Sequence, residues 1–216
     1  MRAWSYKTRG QPADVLNLTT DYTTPSPSNL GPNDVLVRIE YAALTPSAST
    51  LISVLPNWIH TLPAVPELIF SGTIAALGSD VAKTRPGLTK GAPAFGGTSI
   101  QLYLKGHGTL ADYSLCPAEQ VVVKPDDISF RDAAALAGNG VTAVEVLQTL
   151  KLKKGDKVLI NGGSGATGTM LVQCARDIVG ESGRVVATCS EGNSEMVKRI
   201  GADEVRSTAS RLESII

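Results

Sequence analysis

The sequence predicts an α/β protein in two parts: a β-rich barrel or sandwich over residues 1–125, then the beginning of a parallel, doubly wound sheet over residues 126–216. Three observations carry that prediction. Alternating strand patterns between Pro and Gly turns fill the first part, and the texture becomes Ala- and Leu-rich at Ser129. Beyond the "KKGD" turn the order is strand, glycine-dense turn, helix, strand, helix.

In the first part, "DVLVRIEYAAL" alternates Val35, Val37, Ile39 and Tyr41 on one face with Leu36, Arg38 and Glu40 on the other, the period of a strand. "MRAWSY", "SGTIAALG" and "ADYSLCPAEQVVVKP" supply further short strands, with Trp4, Phe70 and Phe95 as core residues. Pro125-Asp126-Asp127 marks the boundary. Beyond it, "SFRDAAALAGNGVTAVEVLQTL" is helical, with Ser129 as N-cap and Asp132 in the first turn. Gly138, Asn139 and Gly140 are expected to divide this run into two helices, since each glycine costs about 1 kcal/mol relative to alanine. A strand at 158–161 and a helix at 166–179 follow, the helix with Leu171, Cys174, Ala175 and Ile178 on its apolar face. Next come a strand at 184–189 and a helix presenting Met196, Val197 and Ile200, closed by Gly201 at C′.

The 216 residues are 43% hydrophobic and 19% charged, enough apolar material for a real core. Twenty basic and twenty acidic residues cancel. That balance argues against nucleic acid or an anionic membrane as partner and favours a small ligand. Cys116, Cys174 and Cys189 are widely spaced and odd in number, and the N-terminus lacks a signal-peptide pattern. A reducing, cytoplasmic setting is therefore expected, and the longest apolar runs fall short of a membrane span.

Gly163, Gly165 and Gly168 fit G-x-G-x-x-G between a strand and a helix. In a dinucleotide fingerprint the first glycine permits the tight turn, the second lets backbone approach a pyrophosphate, and the third lets helix pack on strand. Backbone N–H groups across Ser164, Ala166 and Thr167, with the helix dipole, would then face the phosphates. The alternative is a tight βα turn in some other α/β domain. The second strand ends Thr188-Cys189-Ser190, 22 positions after Gly168, without the acid that accepts from an NAD ribose. Ser190 and Asn193 can donate to a 2′-phosphate, and Lys198 or Arg199 can add charge, so NADP(H) is the expected cofactor. Glu191 is an awkward neighbour, and a solvated helix face is the alternative for Lys198 and Arg199.

With these residues in place, the chain resembles the medium-chain dehydrogenase/reductase superfamily, in its zinc-independent quinone oxidoreductase and enoyl reductase branch. The resemblance is carried by "GPNDVLVRIEYAAL" and "VPELIFSGTIAALGSDV" in a chaperonin-10-like domain, by "GTLADYSLCPAEQVVVKPDDISFRDAAALAGNGVTAVEVL" at the junction, and by "GDKVLINGGSGATGTMLVQCAR" and "GADEV" in a Rossmann domain. It implies NADPH bound between two domains and hydride delivery to the β-carbon of an enone or enoyl thioester, or to a quinone. Thr142 matches a threonine that relatives place beside the nicotinamide; Asn139 lies near it, with a plain turn residue as the alternative reading. Zinc-binding members use a Cys and a His-Glu pair in regions that here read "AALTPSAST" and "VPELIFSG", where Glu67 is the one suitable side chain, so no metal is expected.

Two departures stand out. Zinc-independent members carry an Asn-Pro-x-Asp-like stretch where this chain has Thr45-Pro46-Ser47-Ala48, so no catalytic role is carried onto Thr45 and the catalytic residues are left unassigned. Of the strand order 3-2-1-4-5-6, the chain supplies strands 1 and 2 and the start of strand 3 at Glu204-Val205 before Ile216. It is therefore expected to be C-terminally truncated, with strand 1 an exposed edge and a homo-oligomer or a completing partner chain as ways to cover it. Two functions stay open: an NADP(H)-dependent reductase of a small hydrophobic substrate, for which the apolar "LISVLPNWIHTL" with Trp58 is suited, with packing under a loop as the equal alternative for that stretch, and an impaired remnant or interaction subunit of such an enzyme.

Overall fold

The computed structural model describes residues 1–208, and the chain end at Ile216 lies outside them. In chain order the first elements are β1 (Ala3–Ser5), α1 (Pro12–Val15), β2 (Asn17–Thr19), β3 (Asp34–Ala43), α2 (Pro46–Val54), β4 (Ile69–Leu77), α3 (Val81–Thr84), β5 (Pro93–Gly97), α4 (Ile100–Leu104), β6 (Tyr113–Pro117) and β7 (Val121–Val123). Then follow α5 (Phe130–Leu150), β8 (Lys157–Ile160), α6 (Ala166–Val179), β9 (Arg184–Cys189), α7 (Ser194–Arg199) and β10 (Glu204–Ser207). The chain divides into two compact units, Met1–Gly138 and Asn139 onward.

The first unit is built on a five-stranded antiparallel sheet in the order β6-β3-β4-β5-β7, with β1 and β2 as a separate antiparallel pair. Its core gathers Val35, Val37, Phe70, Ile74, Val81, Cys116 and Val121. β3 departs from simple alternation: Val35, Leu36 and Val37 are all buried, whereas Tyr41 is 49% exposed. Register shifts at Leu36/Val37 and Ile39/Tyr41 are the cause, because each irregularity exchanges the faces of the residues beyond it. Of the expected aromatic core, Phe70 is buried, Phe95 is half-buried and Trp4 is 43% exposed on the narrow β1–β2 pair, which leaves one face open.

The second unit holds β10-β9-β8, all parallel, in the 3-2-1 order of a doubly wound sheet. Among the described residues β8 pairs with β9 alone. The α6 helix packs on this sheet through Gly168, Val172, Ala175 and Val179, while Ile178 is exposed, so the buried face is rotated from the expected one. The core it seals comprises Leu147, Ile160, Val172, Ala175, Val179, Val185, Ala187 and Val197. Gly201, at φ +125°, closes α7 as C′, its N–H donating to Lys198 C=O at 3.0 Å.

One expectation fails outright. Residues 130–150 form one 21-residue helix and not two. Ser129 caps it, its Oγ accepting from Asp132 N–H at 3.1 Å. The glycines do not break it, because burial of Ala133, Ala134, Ala143 and Leu147 offsets their cost. Gly138 meets Ile69: a Cβ there would stand 3.3 Å from Ile69 Cγ1.

Candidate functional site: the glycine turn and its surroundings

The turn between β8 and α6 separates the roles of its glycines by geometry. The left-handed residue is Gly162 at φ +76°, outside the G-x-G-x-x-G spacing, and a Cβ there would meet nothing within 4 Å. The tight turn therefore belongs to Gly162 and not to Gly163. Gly163 is required by packing: its Cβ would lie 2.8 Å from Ala187 Cβ and 3.2 Å from Val197 Cγ1. Gly168 has the tightest requirement, with a Cβ 2.1 Å from Gly162 O and 3.0 Å from Gly163 Cα, the close approach of helix to turn assigned to the third glycine. Gly165 is exposed and a Cβ there would touch only Gly162 O, at 3.3 Å.

Gly165 is the N-cap of α6, and the helical ladder starts with Thr169 N–H to Gly165 C=O at 2.8 Å. The N–H groups of Ala166, Thr167 and Gly168 thus lie in the first turn, at the positive end of the helix dipole. The turn is clamped from β9: Thr188 Oγ1 accepts from Gly162 N–H at 3.0 Å and donates to Asn161 Oδ1 at 2.6 Å, and Thr188 C=O accepts from Gly163 N–H at 2.7 Å. Asn139 is a helical residue of α5 and not a turn residue; its Oδ1 accepts from Thr167 Oγ1 at 2.9 Å. Neither clamp was legible as one, since their partners stand 27 and 28 residues apart.

Beyond β9, Ser190, Asn193 and Lys198 are all exposed. Asn193 Nδ2 donates to Ser190 Oγ at 2.9 Å, holding the two side chains together. The Lys198 ammonium pairs with Glu195 at 3.3 Å. Thr142 is an exposed residue of α5.

Residues 31–126 match the alcohol dehydrogenase GroES-like domain family. A trans-enoyl reductase of Penicillium oxalicum is 33% identical across 95% of this chain and 60% of its own length. The 2-methylene-furan-3-one reductase of Solanum lycopersicum is 33% identical across 94% of this chain and 51% of its own. Among solved structures, the quinone oxidoreductase of Coxiella burnetii superposes with a TM-score of 0.78 at 27% identity, covering 95% of this chain and 62% of that one. The chain belongs to the medium-chain dehydrogenase/reductase superfamily. It spans between half and two thirds of the length of these superfamily relatives.

The Thr45-Pro46-Ser47-Ala48 stretch opens α2. Thr45 caps α2, its Oγ1 accepting from Ala48 N–H at 3.3 Å. It also holds Glu67, whose carboxylate oxygens accept from Thr45 N–H at 3.2 and 3.1 Å, with Oε2 3.0 Å from Thr45 Oγ1. Glu67 is buried and left-handed at φ +68°. Its backbone is pinned there by Thr109 N–H, which donates to the carbonyls of Pro66 and Glu67 at 3.0 Å each. Burial pushes the Glu67 carboxyl above the usual range, against the smaller opposing effect of the Thr45 hydrogen bonds. A non-glycine residue in this conformation, at a cleft, is a mark of constraint that residue type and spacing do not announce. Trp58 is 85% exposed, so it does not pack beneath a loop.

Proposed function

We propose that the chain is the larger part of a cytoplasmic, zinc-independent oxidoreductase that uses NADP(H) to reduce an activated double bond, in an enone or enoyl group, or a quinone, of a small hydrophobic molecule. The observation that carries the reading is the turn from Gly162 to Gly168: two of its glycines leave no room for a side chain, and Gly165 opens outward beside the first turn of α6. That shape suits a pyrophosphate. Gly163, Ser164, Gly165, Ala166, Thr167 and Gly168 would hold it, with Asn139 steadying Thr167, and Thr142 would stand toward the nicotinamide. Ser190, Asn193 and Lys198 would receive a 2′-phosphate; their residue types, with no acid at the end of β9, favour NADP(H) over NAD(H). The cofactor, when bound, supplies a hydride.

The relatives support the same chemistry. The trans-enoyl reductase and the 2-methylene-furan-3-one reductase each act on a conjugated double bond by name, and an Arabidopsis thaliana relative, 30% identical over 94% of this chain, is an NADPH-dependent alkenal/one oxidoreductase. Fluorescence titration of the purified chain with NADPH, with NADH as control, tests the reading. Tighter binding of NADPH and its oxidation on adding an enone are expected; a folded chain that binds neither nucleotide overturns it.

A further inference from the structure

We infer that Asn161-Gly162, at the start of the glycine turn, is a site of spontaneous deamidation, and that the hydroxyl of Thr188 keeps it from reacting.

The chain has two Asn-Gly pairs, Asn139-Gly140 and Asn161-Gly162. Such a pair is chemically weak, because glycine has no side chain to shield its backbone nitrogen or to restrict the rotation that brings that nitrogen to the asparagine amide. At Asn161 the surroundings add no cover. Both residues are exposed, and a Cβ built on Gly162 would meet nothing within 4 Å. Water therefore has direct access to the pair.

What stands against reaction is one hydroxyl. Thr188 Oγ1 accepts from Gly162 N–H at 3.0 Å and donates to Asn161 Oδ1 at 2.6 Å. It thus holds both partners of the reaction, the attacking nitrogen as a bonded N–H and the amide that would be attacked. The backbone beyond is fixed as well: Gly163 N–H donates to Thr188 C=O at 2.7 Å, and Gly165 N–H to Gly162 C=O at 2.9 Å. All of these groups belong to the second unit. For the ring to close, Gly162 N–H must leave Thr188 and the Asn161 side chain must swing away from it, so the rate follows the opening of this clamp. The other pair is held differently, since Asn139 and Gly140 are half-buried inside α5 and Asn139 Oδ1 is bonded to Thr167.

The chemistry balances. The Gly162 nitrogen loses its proton and bonds to Asn161 Cγ; the bond from Cγ to the amide nitrogen breaks, and that nitrogen leaves with the proton as ammonia. Water then opens the resulting succinimide at either carbonyl, giving aspartate or isoaspartate, and no oxidant or reductant takes part. Either product places a carboxylate directly after β8, and isoaspartate also adds a methylene to the main chain. Where the turn holds a pyrophosphate, which rests on the NADP(H) reading above, that charge repels the ligand.

Peptide mapping of the purified chain, kept in warm, mildly alkaline buffer, reads the products at Asn161 relative to those at Asn139 in the same sample, with Asn161→Gln to assign the peptide. In urea both pairs are expected to react. In the folded wild type Asn161 should react at least about tenfold more slowly than in urea. Thr188→Val, which keeps the shape and loses the hydroxyl, should raise the folded-state ratio of Asn161 to Asn139 about tenfold, and Thr188→Ser should restore it. General loosening of the fold would raise both sites together and leave the ratio alone. A ratio unchanged or lowered in folded Thr188→Val overturns the protection by Thr188, as does equal reaction of the wild type folded and in urea; no product at Asn161 even in urea overturns the site. Asn161→Asp, which carries the product's charge, is expected to bind NADPH about tenfold more weakly than wild type. Equal binding overturns the effect on the nucleotide, whereas a wild type that binds no NADPH overturns the reductase reading and leaves the peptide map to decide the modification.

Discussion

At the residue scale, the turn shows that glycines in one motif answer to different forces. Gly162 is needed for its backbone alone, Gly168 for the space that a methyl group would take. Gly162→Ala is therefore expected to cost about 1–2 kcal/mol, the price of a left-handed alanine. Gly168→Ala should cost about 3 kcal/mol, since its Cβ would press on backbone that cannot swing aside, and it should abolish NADPH binding. Urea denaturation of the two variants separates the cases. Glu67 carries a pH signature of its own. Because burial raises its carboxyl, the native chain binds more protons than the unfolded chain between the two pKa values. The stability contributed by the neutral carboxyl is complete below the unfolded value and is lost as pH rises through the folded one. Glu67→Gln, which cannot ionise, should flatten that decline in melts taken from about pH 4 upward.

At the element scale, the long α5 helix is where local preference and tertiary contact disagree. Propensity alone breaks the run at Gly138-Asn139-Gly140, yet the helix continues, and Asn139 in its middle accepts a hydrogen bond from the first turn of α6. Replacing Asn139 by Ala is expected to cost about 1 kcal/mol and to speed amide exchange at Thr167 and Gly168. Ser129→Ala should cost a similar amount, about 1 kcal/mol, by removing the N-cap of α5. Hydrogen exchange distinguishes them, because loss of the cap frays residues 130–133 and leaves the glycine turn alone. By contrast, α6 and β9 have the bounds that their sequence periods announce, since each is short, strongly patterned and closed by its own end signals, Gly180 among them at φ +62°.

At the scale of the whole molecule, the nucleotide reading makes a thermodynamic prediction. NADPH at about 100 times its Kd should add about 2.7 kcal/mol to the unfolding free energy, read as a rise in Tm, and NADH should add less. Ser190→Ala and Lys198→Ala should each weaken NADPH by about 1 kcal/mol, roughly fivefold, without changing NADH, because in the proposed site they would meet only the 2′-phosphate. The amino-acid sequence by itself determined the α/β class, the change from antiparallel to parallel sheet, the strand–turn–helix around the glycines and the superfamily. Those features rest on periods and backbone conformations that neighbouring residues decide. Only the tertiary structure decided that Gly162 and not Gly163 is left-handed, that Asn139 holds Thr167, and that Thr45 holds a buried Glu67 22 residues away. Such pairings depend on chain segments meeting in space, and the residues involved carry no local pattern that marks them as partners.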